Sequence, residues 1–203
     1  AKGARIPAWF SYPDILSELR AAYRKSNGFC VYFTGLSGSG KTTLAQALKE
    51  RLLAIDPLKR KITILDGDVI RRHLSKGLGF SKQDRSINVQ RIGYVASLVV
   101  RNGGICICAN IAPYSIDRNI NREMITKEGS YFEVFVNTPL AECEKRDVKG
   151  LYKAAREGRI PHFTGISDPF EAPENAEMVV DGSENVEFCL DTILKKLKET
   201  IDL

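Results

Sequence analysis

The sequence predicts an α/β domain in which a parallel five-stranded sheet is flanked by helices. Three observations carry this. Short apolar runs rich in β-formers alternate with longer stretches whose apolar residues recur at helical spacing. The first such run leads straight into a glycine-rich octapeptide that opens a helix. Finally, 203 residues with 43% hydrophobic content are enough for one sizeable core. Alternation of this kind buries a parallel sheet between helices on both faces.

Taken in order, residues 1–27 stand apart. Two prolines, Trp9, Phe10 and Tyr12 precede Asp14, after which Ile15, Leu16, Leu19 and Tyr23 mark a short amphipathic helix broken at Ser26-Asn27-Gly28. This segment reads as a linker or the tail of a preceding domain, and the start at Ala1 without Met fits an excised or processed piece. Phe29–Thr34 is a buried strand and Lys41–Ala54 a helix that stops before Asp56-Pro57. Lys61–Leu65 is the second strand. Asp84–Val100 places Ile92, Val95, Ala96 and Val99 on one helical face, with capping-box spacing in Ser81–Asp84 before it and Gly103-Gly104 after it. Ile105–Ile111 is a third strand, and Ser115–Glu128 a helix ended by Gly129. Tyr131–Asn137 is a fourth strand, after which Thr138 as N-cap and Pro139 at N1 start a helix. Glu177–Val180 and Val186–Glu199 complete the pattern. Lys149–Glu174 breaks it with charges, glycines and prolines, and a loop of that length in a compact domain reads as a lid.

Charge and cysteine content narrow the function. Thirty Lys+Arg against 25 Asp+Glu give a net charge of only +5, and acids interleave with bases, as in Glu142, Glu144, Lys145, Arg146 and Asp147. That is a pattern of solvated faces, not of a nucleic-acid or membrane binder. No apolar stretch approaches the roughly 20 residues of a bilayer helix. The five cysteines include no CxxC pair and have only two histidines for company, which argues against a disulfide framework or a zinc site. Cys106 and Cys108 would share one face of their strand as small core residues. A reducing, cytoplasmic setting is expected.

Gly35-Leu36-Ser37-Gly38-Ser39-Gly40-Lys41-Thr42 matches GxxxxGK[ST] at every fixed position, between a strand and a helix, with Thr43 following. Glycines let backbone N–H groups wrap phosphates, and the helix N-terminus adds a favourable dipole. Lys41 would reach the outer phosphates of ATP and Thr42 would hold Mg²⁺. The second strand runs into Asp66-Gly67-Asp68, two carboxylates at a strand's carboxyl end. One suits Mg²⁺, and the other can orient or deprotonate an attacking hydroxyl. Arg71 follows one helical turn later, and Gly77-Leu78-Gly79-Phe80 leads into a helix carrying Arg85 and Asn88. The arginines suit anionic oxygens. Phe80 reads equally as a core plug or as a platform for a base. No NKxD guanine-reading motif is present.

The ordered set of LDGD, GLGFS, Asp84-Arg85 with Asn88–Gly93, Ala112-Pro113-Tyr114, Asp147–Lys153, Phe163–Ile166 and Glu171–Glu174 resembles the adenylylsulfate kinases across about residues 28–199. The resemblance implies a P-loop kinase fold over 28–203 with a lid at about 149–174. It implies ATP-dependent phosphorylation of the 3′-hydroxyl of adenosine 5′-phosphosulfate, with Mg²⁺. Carried onto this chain, Gly35–Thr42 and Thr43 hold ATP, and Arg146 packs near its adenine. Lys41, Asp66 and Asp68 are catalytic, Asp68 nearer the hydroxyl, and Thr42 and Asp66 serve the metal. Arg71, Arg85 and Asn88 grip the acceptor's phosphosulfate and ribose, while Phe80 and Phe163 sandwich its adenine beside Ile111. Lys149, Tyr152 and Lys153 belong to the lid.

The resemblance further implies a homodimer. Arg5–Pro13 resembles the end of ATP sulfurylases, which implies a fused sulfurylase–kinase parent able to assemble further. Two departures stand out. Where the family commonly reads Phe-Ile-Ser-Pro-Tyr, this chain has Asn110-Ile111-Ala112-Pro113-Tyr114, so no serine is available for a phosphoenzyme and transfer is direct and in line. Val69 replaces the family's usual Asn after DGD. The rival readings are a P-loop kinase of another small acceptor such as a nucleoside, gluconate or shikimate, among which Phe80 with Phe163 favours a flat base, and a non-catalytic nucleotide-sensing domain, for which a damaged P-loop is expected.

Overall fold

Phe29–Thr34 (β1) forms the middle of the sheet because its aromatic and β-branched residues are buried on both faces without interruption. In the computed structural model, residues 28–201 are described, together with Tyr12 and Ile15. The expected N-terminal helix and linker otherwise lie outside the described residues. The remaining strands are Ile62–Asp66 (β2), Ile105–Ala109 (β3), Ser130–Val136 (β4) and Met178–Val180 (β5). They form one parallel sheet in the order β2-β3-β1-β4-β5, with Phe29 opposite Ile105 on one side and Ser130 on the other.

Helices cover both faces, and strand alternation decides which residues meet them. Phe29, Val31 and Phe33 join Ile107, Phe132 and Val134 in one core cluster. There they meet Leu44, Leu48 and Leu52 of Lys41–Ile55 (α1) and Leu190, Ile193 and Leu197 of Val186–Thr200 (α7). Cys30, Tyr32, Cys106 and Cys108 face the other way, onto Val89, Ile92, Ala96 and Val100 of Lys82–Arg101 (α3). Ile125 of Ser115–Thr126 (α4) closes that layer. The Cys30 and Cys106 sulfurs each lie 3.8 Å from that of Cys108, as free, fully buried thiols.

Local chemistry sets the ends. Ser81 caps α3 as expected, accepting a hydrogen bond from the Asp84 N–H, while the Asp84 carboxylate takes the Ser81 hydroxyl and not the backbone N–H of a full capping box. Asn185 caps α7 through Glu187 N–H. Two short helices join the expected elements, Gly67–His73 (α2) and Leu151–Arg156 (α6), and the helix expected after Thr138-Pro139 is Leu140–Arg146 (α5). The third strand stops at Ala109, not Ile111, because the chain turns at Ala112, whose φ is +43°. Thr138 is not the N-cap of α5. Pro139 takes that position, and the Thr138 hydroxyl donates instead to the Ser39 carbonyl. The lid contains α6 and then runs without helix or strand, apart from a bridge between Thr164 and Asp168, until β5. Among the described residues, no helix is long and apolar enough to cross a membrane.

Candidate active site

Every strand's carboxyl end opens on the same edge, and there the chain leaves β1 in a tight loop. Gly38 at φ +73° and Gly40 at φ +104° occupy left-handed conformations that side chains resist, so the loop can curl its N–H groups inward before α1 begins. Lys41, the first residue of α1, is buried, and its ammonium donates to the Leu36 carbonyl at 2.5 Å and the Ser39 hydroxyl at 3.2 Å. Burial lowers its pKa from the usual lysine range to about 8. The loop is braced from outside. Thr138 Oγ1 donates to the Ser39 carbonyl at 2.7 Å, and Tyr152 Oη of α6 donates to the Ser37 carbonyl at 2.8 Å. Arg146 spans the Gly38 carbonyl at 3.2 Å and the Gly182 carbonyl at 2.9 Å. Thr42 and Thr43, on the first turn of α1, are exposed.

The two carboxylates after β2 have different surroundings. Both oxygens of Asp66 are engaged, with room left on Oδ2: Oδ2 accepts from Thr42 Oγ1 at 2.8 Å, and Oδ1 caps α2 through the Asp68 and Val69 N–H groups at 2.9 and 3.4 Å. A hydroxyl and a carboxylate side by side, both hard oxygen donors next to the phosphate loop, fit Mg²⁺ by chemistry. Asp68 points outward, its side chain 62% exposed, and pairs with Lys149 of the lid. The lid therefore touches the nucleotide loop through Tyr152 and the carboxylate pair through Lys149.

Of the residues expected on the acceptor side, Arg71, Phe80, Arg85 and the segment around Phe163 are linked by contacts. Phe80 is 60% exposed and plugs no core, which favours the platform reading, and the Arg71 guanidinium lies 4.5 Å from its ring centre while donating to the Gly79 carbonyl at 3.0 Å. Phe163 meets Tyr152 edge-on with ring centres 5.0 Å apart. Arg85 joins the two aromatic segments: Nε donates to the Phe80 carbonyl at 2.9 Å, and its terminal nitrogens reach the His162 carbonyl at 2.6 Å, Thr164 Oγ1 at 2.7 Å and the Asp168 carboxylate. A guanidinium predicted to face the acceptor's anion is thus already committed to the lid. Asn88 is buried, and its Oδ1 has no hydrogen-bond partner among the described residues. Ile111 presents its carbonyl to Thr34 Oγ1 at 2.6 Å. Lys153 is exposed, and its backbone N–H, like that of Tyr152, is capped by Asp147.

Sequence reasoning missed Thr34, Thr138, Asp168 and Gly182. Thr138 was visible, but as a helix cap. Asp168 sits in a Ser-Asp-Pro turn like many others, and Gly182 carries no local signal because its neighbour Ser39 is remote in the chain.

The chain matches the family model described as adenylylsulphate kinase over residues 27–181. An adenylyl-sulfate kinase of Picosynechococcus sp. is 51% identical over 173 residues, which cover 85% of this chain and 94% of that relative. A sulfate adenylyltransferase of Aspergillus oryzae is 47% identical over 184 residues, 90% of this chain, and the chain spans 32% of its length. Among solved structures, the Mycobacterium tuberculosis APS kinase CysC in complex with AMPPNP and APS superposes with a TM-score of 0.80 at 37% identity, covering 85% of this chain and 98% of that one.

Proposed function

The chain belongs to the adenylylsulphate kinase family, and on that premise we propose that it transfers the γ-phosphoryl group of ATP to the 3′-hydroxyl of adenosine 5′-phosphosulfate. The products are ADP and 3′-phosphoadenosine 5′-phosphosulfate. One juxtaposition carries the reading. The phosphate loop, the carboxylate pair and the lid meet at one edge of the sheet, through Thr42–Asp66, Asp68–Lys149 and Tyr152–Ser37. That the tuberculosis relative was solved with AMPPNP and APS supports the same pair of ligands.

The chemistry then divides among this chain's own residues. Gly35, Leu36, Ser37, Gly38, Ser39, Gly40, Thr42 and Thr43 would cradle the ATP phosphates, with Lys41 meeting the charge that grows on the transferred group. Arg146, already bonded to the loop from behind, would lie beside the nucleotide. Thr42 and Asp66 would hold Mg²⁺, which when bound offsets phosphate charge. Asp68, exposed and paired with an exposed lysine that solvent can replace, is the carboxylate placed to approach an acceptor, so it would orient and deprotonate the 3′-hydroxyl. Arg71, Arg85, Asn88 and Lys153 would receive the phosphosulfate and ribose, and Phe80 and Phe163 the adenine, beside Ile111. Lys149 would leave Asp68 for anionic oxygens as the lid closes and excludes water. Ala112 has no hydroxyl to phosphorylate, so transfer proceeds directly to the acceptor.

A cytoplasmic homodimer, with residues 1–27 as the join to a sulfurylase half, completes the reading. The match to one third of the Aspergillus chain supports that last point. A coupled assay of ADP release tests the core of it. Release should depend on adenylylsulfate, and ADP formation at the same rate without it would sink the proposal.

A further inference from the structure

The turn after β3 holds a strained residue clamped from three directions. Ala112 is buried and left-handed at φ +43°, a conformation that costs an L-residue with a Cβ about 1–2 kcal/mol. Such a residue persists only where its surroundings over-determine it. Thr34 Oγ1 takes the Ile111 carbonyl at 2.6 Å, and the Glu171 N–H takes the Pro113 carbonyl at 2.8 Å. The third clamp is Arg118 on α4. Its side chain is 3% exposed, and its two terminal nitrogens donate to the Ala112 carbonyl and the Glu171 carbonyl, each at 2.7 Å.

Arg118 is itself held in place. Its Nε lies 3.3 Å from the buried Glu133 carboxylate of β4, and its guanidinium carbon 5.9 Å from the centre of the Phe170 ring. Glu133 is also paired with Arg122, which pairs in turn with Glu177, so two carboxylates balance two guanidiniums in the cluster. Glu171 returns to the start of α4, accepting from the Ser115 N–H and hydroxyl at 2.7 Å each. Three residues before Glu171 comes Asp168, the partner of Arg85. One guanidinium therefore fixes both the Ile111–Pro113 turn and the arm by which the lid returns to the sheet. A lysine could supply the charge, but not two carbonyl bonds from a planar fork.

We propose that Arg118 is a positioning residue for the acceptor nucleotide, acting through the Ala112 carbonyl to hold the Ile111–Pro113 turn against its left-handed strain. This rests on the acceptor site proposed above. The turn also meets the phosphate loop, where the Gly35 N–H donates to the Ile111 carbonyl at 3.5 Å, but Arg118 holds the Ala112 carbonyl one residue further on, so loosening it should fall mainly on the acceptor. A glycine at 112 adopts φ +43° without the Cβ penalty, so it should compensate for a weakened clamp.

The test is a cycle of R118K, A112G and the double variant. For each, KM for ATP, KM for adenylylsulfate and kcat are measured well below the thermal midpoint. R118K should raise KM for adenylylsulfate about tenfold and leave KM for ATP within twofold. A112G in the R118K background should recover at least threefold of that loss, judged against A112G alone. A KM for adenylylsulfate within twofold of the unmodified chain in R118K overturns the inference, as does an equal rise in both KM values. Additive effects in the double variant overturn it too. Absence of adenylylsulfate-dependent turnover in the unmodified chain overturns the functional reading, and this inference falls with it.

Discussion

Replacing Gly182 by alanine should disable the phosphate loop from behind. A Cβ at Gly182 would lie 2.2 Å from the Ser39 carbonyl oxygen, 2.3 Å from Thr138 Oγ1 and 2.8 Å from Val136 Cγ1. Two of these are overlaps of about 1 Å on atoms that already bond each other at 2.7 Å, and one is backbone. The methyl group cannot be absorbed by a flexible side chain, so either the loop moves or the segment carrying Gly182 does. Overpacking of this kind costs about 1–3 kcal/mol, and losing the Thr138–Ser39 bond adds about 1 kcal/mol. A total near 2–4 kcal/mol in a domain of this size lowers Tm by roughly 5–15 °C. The same displacement also moves Ser39, which holds the Lys41 ammonium. Misplacements of about 1 Å at a reaction centre can cost on the order of 100-fold in rate, so KM for ATP should rise about tenfold or more. Differential scanning calorimetry and initial-rate kinetics with varied ATP read both effects. Gly158→Ala is the control: its φ of +72° brings strain, but open space surrounds it, so it should cost about 1 kcal/mol and leave KM for ATP alone. A Gly182→Ala protein with unchanged Tm and unchanged KM for ATP would refute the steric reasoning.

Three further outcomes rest on the same geometry. Because burial brings the Lys41 pKa to about 8, the free protein loses that proton above about pH 8, whereas bound phosphates hold it; the unfolded chain keeps it to its ordinary value. KM for ATP should therefore climb as pH rises past 8, with calorimetry showing proton uptake on ATP binding near pH 9. Over the same interval the unfolded state binds the extra proton, so fold stability should gain. Asp68→Asn should lower kcat about 100-fold or more with little change in ATP binding, whereas Asp66→Asn should weaken ATP binding in the presence of Mg²⁺, as single-turnover and titration experiments can separate. Arg60→Met strands the buried Asp56, now held by Arg60 at 2.8 Å with both side chains 3% exposed or less, and should cost about 3–5 kcal/mol in urea unfolding without altering kcat.

Strand and helix positions were legible because their signals are local. Phe29–Thr34 is apolar at every position but the last, and Ser81 with Asp84 spells its cap three residues apart. Boundaries failed where a distant contact overruled a local preference. Thr138 has good N-cap chemistry, yet Ser39 claims its hydroxyl. The third strand yields at Asn110 because Thr34 and Arg118 hold the Ile111 and Ala112 carbonyls in a turn. The site shows the same division. The glycine pattern named the phosphate loop and Asp66-Gly67-Asp68 the carboxylates, since each motif is contiguous. The partners Thr34, Gly182 and Asp168 became visible only in three dimensions, because one residue of each pair says nothing about the other.

Arg85 shows what that difference means for mechanism. Its place at the start of α3 marks it as an anion-binding residue, but in this structure it is occupied by the Phe80, His162 and Thr164 oxygens and by Asp168. Lys149 is likewise engaged, with Asp68. Two of the cations proposed to bind ligands are thus paired with carboxylates, and each pair joins a lid residue to one outside the lid. An incoming dianionic nucleotide would compete for both, so substrate charge would take the place of the lid's carboxylate pairs. Surface pairs such as Lys149–Asp68 are weak, on the order of 1 kcal/mol or less, and give way readily. The Arg85–Asp168 pair is far less exposed, and a partly desolvated charge pair is harder to separate. The two pairs should therefore separate in that order, first at Asp68, the carboxylate proposed to activate the acceptor hydroxyl, and only afterwards at Asp168.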